Sequence, residues 1–242
     1  MSKKNPKKLS RREREEQRQM RRWMLFGGGA FCVAAAAGVG MTFIPPTFPS
    51  LEGEGSMEDR MVASGLGPNF VKLTEGPVEA LIIGTTSCSF CRDFVKNGLD
   101  DLVAFAREKG IGLAYASTGT SLDSLASTQL ISGFAGEGVT DPEMIQAVYA
   151  ASSSLGDKET FDKVAKEIGA QFDVNETLIQ EITEQEAIAV TRDIQALGNT
   201  FPIQGTPIFF VQSKGDKNTI NWFSGWPGSA GLQRQIEAAR NA

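Results

Sequence analysis

Cys88 and Cys91 stand two residues apart in the stretch "TTSCSFCRDF", from Thr85 to Phe94. The rest of the chain holds one further cysteine, Cys32, and no histidine. Three chemistries use such a pair: thiol–disulfide exchange, one half of a metal site, or a structural bridge. A structural zinc site takes four ligands, most of them cysteine or histidine. With only Cys32 left over, inside an apolar run, an all-protein zinc site of that type cannot be built within one chain. A site shared between two subunits is the metal reading that remains. A purely structural disulfide would close a very short loop and so would constrain little chain entropy.

The segments around the pair favour exchange chemistry. "VEALIIG" (Val78 to Gly84) is an apolar run of strand length. After the cysteines, Cys91, Phe94, Val95, Leu102, Phe105 and Ala106 recur at helical spacing until Gly110. The pair therefore straddles a strand-to-helix junction. Cys88 falls near the N-cap, where free backbone N–H groups and the helix dipole favour an anion. Its thiol should ionise below the free value of about 8.5. Cys91 lies one turn further in, placed to resolve a mixed disulfide. A Cys-x-x-Cys beside a βαβ pattern is a redox signature.

Downstream, "IGLAYAS" (Ile111 to Ser117) is a second strand. Residues 118–198 read as helical throughout. "SLDSLASTQLISGF" has a helical pattern, and Asp141 before Pro142 and Glu143 is a strong helix start. "ETFDKVAKEIG" and "NETLIQEITEQEAIAVTRDIQALG" add two helices ending at glycine. Strands return at Pro207 to Gln212 and Thr219 to Phe223 around the turn "SKGDKN", and a last helix spans 229–240. Trp222, Phe223 and Trp226 read as core or sheet-face aromatics. The order predicts an α/β domain over residues 69–242 with a helical insertion at about 118–198, too long for a loop.

The N-terminal region has a different task. Residues 1–22 carry ten Lys or Arg and three Glu, although the whole chain has a net charge of −5. The body is thus acidic, which argues against nucleic acid as partner. Residues 23–44 contain no charge. A bilayer-spanning helix needs about 20 apolar residues, and flanking positive charge stays on the cytoplasmic side. This predicts a single-pass anchor in the bacterial inner (cytoplasmic) membrane, with a basic cytoplasmic tail at 1–22. The body would lie in the periplasm or otherwise outside the cytoplasm, where disulfides persist. A cleaved signal, including a twin-arginine signal at "RRWMLF", is the competing reading. Residues 45–68, rich in proline and then glycine, read as a linker, with a short helix starting near Ser56, Glu58 and Asp59.

From about residue 70 to 240 the chain resembles the DsbA-like branch of the thioredoxin-like superfamily, whose members are exported disulfide oxidoreductases. The resemblance rests on the placed Cys-x-x-Cys, the helical block and Thr206-Pro207 in "QGTPIFF". It implies a thioredoxin-like fold with an inserted all-helical domain. It implies Cys88 as nucleophile, Cys91 as resolving cysteine, and Thr206-Pro207 as a cis-proline loop that faces them and pairs with bound substrate. No metal or cofactor is implied beyond a redox-active Cys88–Cys91 disulfide. Implied partners are exported proteins with thiols or disulfides and a quinone-linked membrane redox partner. Two features depart from the family. Ser89-Phe90 replaces the Pro-His of strongly oxidising members, so the thiolate environment would come from backbone N–H groups and the Ser89 hydroxyl. Ile82 occupies the position where a buried acid often stands, and Glu79 nearby should face elsewhere. The expected activity is disulfide donation by a membrane-tethered enzyme. A reductase, an isomerase, or a non-catalytic chaperone or envelope assembly protein are the alternatives.

Overall fold

The computed structural model describes residues 48–63, 70–184 and 198–242. The basic tail 1–22, the apolar run 23–44 and the second half of the helix predicted at 175–198 lie outside them. Among the described residues no helix is long and apolar enough to cross a membrane.

Three apolar runs build the centre of the sheet. Strand β3 (Val78–Gly84) pairs in parallel with β4 (Gly112–Ser117) and antiparallel with β5 (Ile208–Gln212). All three are buried along nearly their whole length, because helices cover both faces. Strand β6 (Thr219–Ser224) adds to β5, and two short strands, β1 (Ser50–Glu52) and β2 (Val71–Lys72), close the edges. The six strands run in the order β1-β6-β5-β3-β4-β2. The period of two along each strand sorts the side chains. Ile82, Tyr115, Phe209 and Val211 enter one core; Leu81, Ile83, Ala114, Ile208 and Phe210 enter the other.

Helices α2 (Ser89–Asn97), α3 (Leu99–Lys109) and α8 (Ser229–Asn241) pack on the first face. The single helix predicted across this stretch breaks at Gly98. There the Trp226 ring lies so close that a Cβ would stand 2.0 Å from one of its carbons. The helical block follows β4 as α4 (Leu122–Gly136), α5 (Pro142–Ala151), α6 (Lys158–Gln171) and α7 (Glu176–Glu184). Local capping starts them: Ser121 accepts from the Ser124 N–H, Asp141 from Glu143 and Asp157 from Thr160. Leu130, Ile131, Phe134, Ile145 and Val148 from this block join the same apolar cluster as Ile82 and Cys91. The helical block and the sheet thus share one continuous core.

The segment read as a linker belongs to the fold in large part. Residues Ser50–Glu52 pair with β6, and α1 (Met57–Ala63) lies over the second face of the sheet. Met57 and Met61 are fully buried beside Leu81, Ile83 and Phe210. Burial of a side chain this large is worth roughly 1.5–3 kcal/mol. The Arg60 guanidinium donates to the carbonyls of Leu51, Gly53 and Asn218, and so ties β1 to the β5–β6 hairpin. Proline and glycine content marks flexible sequence only while no long-range contact overrides it, and here two methionines and an arginine do so.

Gly112 opens β4 against the backbone of Pro77, whose carbonyl oxygen would lie 1.8 Å from an added Cβ. Backbone cannot rotate out of the way. Gly112→Ala should therefore lower the thermal midpoint clearly, by an overpacking cost on the order of 1–3 kcal/mol. Gly136→Ala, at the end of α4 with nothing within 4 Å of the new methyl, should leave the midpoint unchanged or raise it.

Candidate active site

The two cysteines sit where a sharp turn delivers β3 into α2. The Cys88 N–H donates to the Thr85 carbonyl at 3.1 Å, and Cys88 is the N-cap of α2, with extended φ and ψ of −90° and 124°. Its sulfur replaces the oxygen that a capping serine or aspartate would supply, accepting from the Cys91 N–H at 3.4 Å. Cys88 is half-buried, whereas Cys91, one turn on, is fully buried. Both are free thiols in this structure.

The proline loop closes over the pair from the opposite side. The Thr206-Pro207 peptide bond is cis. The Thr206 carbonyl accepts the Cys88 thiol proton at 3.1 Å, across 118 residues of sequence. Pro207 is buried and Thr206 half-buried. The structure therefore brings together four residues picked out from the sequence: Cys88, Cys91, Thr206 and Pro207.

The electrostatics of the two sulfurs diverge. The Cys88 thiol is pulled down to about 5, chiefly by a hydrogen bond from the Cys91 thiol. Partial burial opposes this, and the Thr206 side chain and the N–H groups of Cys91 and Phe90 add to it. The Cys91 thiol is pushed well up, first because its proton is held by Cys88 and then by burial. At neutral pH, Cys88 is the thiolate and Cys91 keeps its proton. A half-buried thiolate thus stands one turn from a protonated, buried thiol, an arrangement suited to exchange through a mixed disulfide.

Of the two intervening residues, Phe90 acts on Cys88 through its backbone N–H. Ser89 and Phe90 are both exposed, and the Ser89 hydroxyl makes no hydrogen bond to the Cys88 sulfur. The expectation that this hydroxyl would help the thiolate is not met in this structure, where Ser89 stands exposed at the first helical position. Phe90 presents 63% of its surface, an apolar ring between the two cysteines. Three contributions escaped sequence reasoning. The Cys91 thiol itself is the largest stabiliser of Cys88. Arg92, expected only as a solvated residue, donates to the Thr86 carbonyl at 3.3 Å and braces the turn before Cys88. Two buried tyrosines, Tyr115 and Tyr149, lie in the core that receives Cys91. Their signal in sequence was faint: one polar atom each, inside apolar patterns. Glu79 faces elsewhere, as expected, paired with Arg240.

Comparison with known proteins accords with this geometry. Residues 86–236 match the model of the DSBA-like thioredoxin domain. No curated protein sequence matches the chain. Among solved structures, a form of Wolbachia pipientis alpha-DsbA1 with two cysteines replaced by alanine is similar over 71% of this chain and 90% of its own, with a TM-score of 0.55 at 16% identity. The unsubstituted alpha-DsbA1 gives 0.54 over the same shares, again at 16% identity. A form with one threonine replaced by valine gives 0.53 over 74% of this chain and 96% of its own, also at 16% identity. At that identity the structures attest the fold, and the domain match attests the family. The chain belongs to the DsbA-like thioredoxin-domain family, whose members are extracytoplasmic protein thiol–disulfide oxidoreductases acting on cysteines of exported proteins.

Proposed function

We propose that this protein is a membrane-tethered disulfide donor, with Cys88–Cys91 as its redox-active disulfide. The single observation that carries the reading is the opposed poise of the two thiols, Cys88 down to about 5 and Cys91 far above its ordinary value. A substrate thiolate attacks Cys88 and the Cys88–Cys91 bond breaks. A second substrate thiolate then attacks the substrate sulfur of the mixed disulfide, and Cys88 departs as a stable thiolate. A low-pKa leaving group speeds that release. It also stabilises the reduced enzyme, which makes the disulfide the stronger oxidant. Thr206 and Pro207 supply the wall beside Cys88, where the Thr206 backbone would pair with an extended substrate segment. Exposed Phe90 offers that segment an apolar contact.

The N-terminal sequence supplies the setting. Residues 23–44 act as an uncleaved single-pass anchor, with the basic tail in the cytoplasm and the body outside the cytoplasmic membrane. Reduced enzyme is returned to its disulfide form by a quinone-linked membrane partner. Intact-cell protease treatment tests the topology. The body should be digested from the outside, and the membrane fraction should retain the full-length chain; a shorter mature protein released in soluble form would favour the cleaved signal.

The pH dependence of alkylation tests the thiol chemistry directly. Because the Cys88 thiol ionises near 5, its reaction with iodoacetamide should be nearly constant from pH 8 to 6 and half-maximal near pH 5. Cys91 should stay unreactive over that range. Cys88→Ala should abolish oxidation of a reduced peptide with two cysteines; full retained activity would sink the assignment.

Equilibration with glutathione buffers decides the direction. A nucleophile near 5 stands between those of thioredoxin, about 7, and DsbA, about 3.5. The potential should fall between about −270 mV and about −120 mV, the values of those two proteins. A potential at or below the thioredoxin value would turn the reading to a reductase.

A further inference from the structure

The turn that delivers Cys88 is pinned at one residue from two directions. Residues Thr85 to Cys88 close as a four-residue turn, with the Cys88 N–H on the Thr85 carbonyl at 3.1 Å. Thr86 is the first corner residue of that turn. Its carbonyl accepts from the Arg92 guanidinium at 3.3 Å, and the Arg92 N–H donates to the Cys88 carbonyl at 3.1 Å. Its hydroxyl reaches the helical block instead, donating to the Ser127 hydroxyl of α4 at 3.1 Å. Ser127 donates its own proton to the Asp123 carbonyl, one turn back, at 2.7 Å. Both hydroxyl protons therefore have acceptors. Thr86 is only 3% exposed and Ser127 is fully buried, so water does not compete for this bridge.

The next residue of α4 repeats the arrangement on the neighbouring strand. The Thr128 hydroxyl lies 3.0 Å from that of Ser117, the last residue of β4, and both are buried. Two consecutive residues of one helix thus hold the ends of two parallel strands, β3 through its turn and β4 directly. The start of α4 is itself fixed. Ser121 and Ser124 cap it reciprocally, and the Gly156 N–H, between α5 and α6, donates to the Asp123 carboxylate at 2.7 Å. Replacing both partners of a buried hydrogen bond by apolar groups of like shape is often nearly neutral for stability. What a satisfied buried bond adds is a single geometry. The group whose geometry matters at this end of the sheet is the Cys88 sulfur. It accepts from the Cys91 N–H at 3.4 Å and faces the Thr206 carbonyl at 3.1 Å.

We propose that Thr86 and Ser127 are positioning residues for the exchange reaction: through their hydroxyl bridge the helical block fixes the turn that holds the Cys88 sulfur at the cap of α2. The inference rests on the exchange reading of Cys88 given above. Arg92 and Ser127 restrain the same residue from two elements, and neither restraint replaces the other. With the bridge cut, the turn keeps its Arg92 contact and loses its hold on α4. The Cys88 sulfur then spends part of its time away from the first-turn N–H groups and the Cys91 thiol. Those groups favour the thiolate, so each excursion favours the protonated form. Ionisation of Cys88 moves to higher pH. The reduced enzyme gains less from that ionisation at neutral pH, and the disulfide becomes a weaker oxidant.

Thr86→Val is the cleanest test. Valine keeps the shape of threonine, and Ser127 keeps its bond to the Asp123 carbonyl, so no buried donor is stranded. The pH of half-maximal Cys88 alkylation by iodoacetamide should rise by about one unit, and the glutathione equilibrium at neutral pH should shift about tenfold toward the disulfide form. Ser127→Ala cuts the same bond from the other side and should give the same two shifts. It strands the Thr86 hydroxyl and should also melt earlier. The double variant should shift no further than either single one, as a shared interaction requires. Thr86→Ser keeps a hydroxyl and should restore the original values. A bond that serves stability alone would lower the thermal midpoint and leave both redox readouts in place. That outcome in folded Thr86→Val or Ser127→Ala protein would overturn the proposal, as would single-variant shifts that add in the double variant. The unsubstituted protein reports separately on the exchange reading. An ordinary thiol profile there would defeat that reading, whereas a profile near 5 that Thr86→Val leaves unmoved would defeat the bridge alone.

Discussion

The structure turns on one substitution of sulfur for oxygen: Cys88 caps helix α2. An N-cap accepts N–H bonds that the helix itself cannot satisfy, and oxygen normally does this. A thiolate does it better than a thiol, because the first-turn N–H groups and the helix dipole point positive potential at it. The helix end therefore contributes backbone stabilisation to the reactive form of the residue, beside the larger contribution of the Cys91 thiol. That matters in a chain without histidine and without a buried acid or base among its described residues. The Cys91 thiol completes the arrangement by giving its proton to the Cys88 sulfur.

Everything around the cap serves to hold it. Strand β3 is buried on both faces and carries no slack into the turn. Arg92 braces the Thr86 carbonyl, and the Thr206 carbonyl closes the open side of Cys88. That carbonyl also has a cost, since it accepts from the thiol and repels the thiolate. The Thr206 side chain, acting in the opposite sense, reduces the cost. Cys88 is thus held between a helix end that favours charge and a strand end that favours the neutral form.

The helical block and α1 have a common physical role despite their distance in sequence. A mixed sheet whose central strands are apolar on both faces must be covered on both. The α2, α3 and α8 helices with the helical block cover one face, while Met57, Met61 and Phe201 cover the other. The prolines and glycines of residues 45–56 suggest a tether, yet a single turn of buried methionines outweighs them. Composition describes what a segment does alone; burial describes what it does against a surface that it meets only after folding.

Much of the site was legible in the sequence. The proline of the facing loop was legible only through the family resemblance; the strand-to-helix junction, the spacing of Cys88 and Cys91 and the cap at Asp141 are local features. They depend on neighbours within a few residues, and the structure places them as spacing and capping rules predict. The chain by itself also determined the sign and reach of its basic tail and apolar run, since charge and hydropathy need no fold to be counted. Tertiary structure alone decided the rest. Only packing shows that the Trp226 ring lies against Gly98 where the predicted helix breaks, that Arg60 clasps three carbonyls, and that Ser89 stands exposed. Only packing brings Thr206 across 118 residues to Cys88, and Tyr149 across 34 residues to Tyr115. The reason is the same in each case: a polar contact between distant residues depends on the shape of the whole core, and no local pattern encodes that shape.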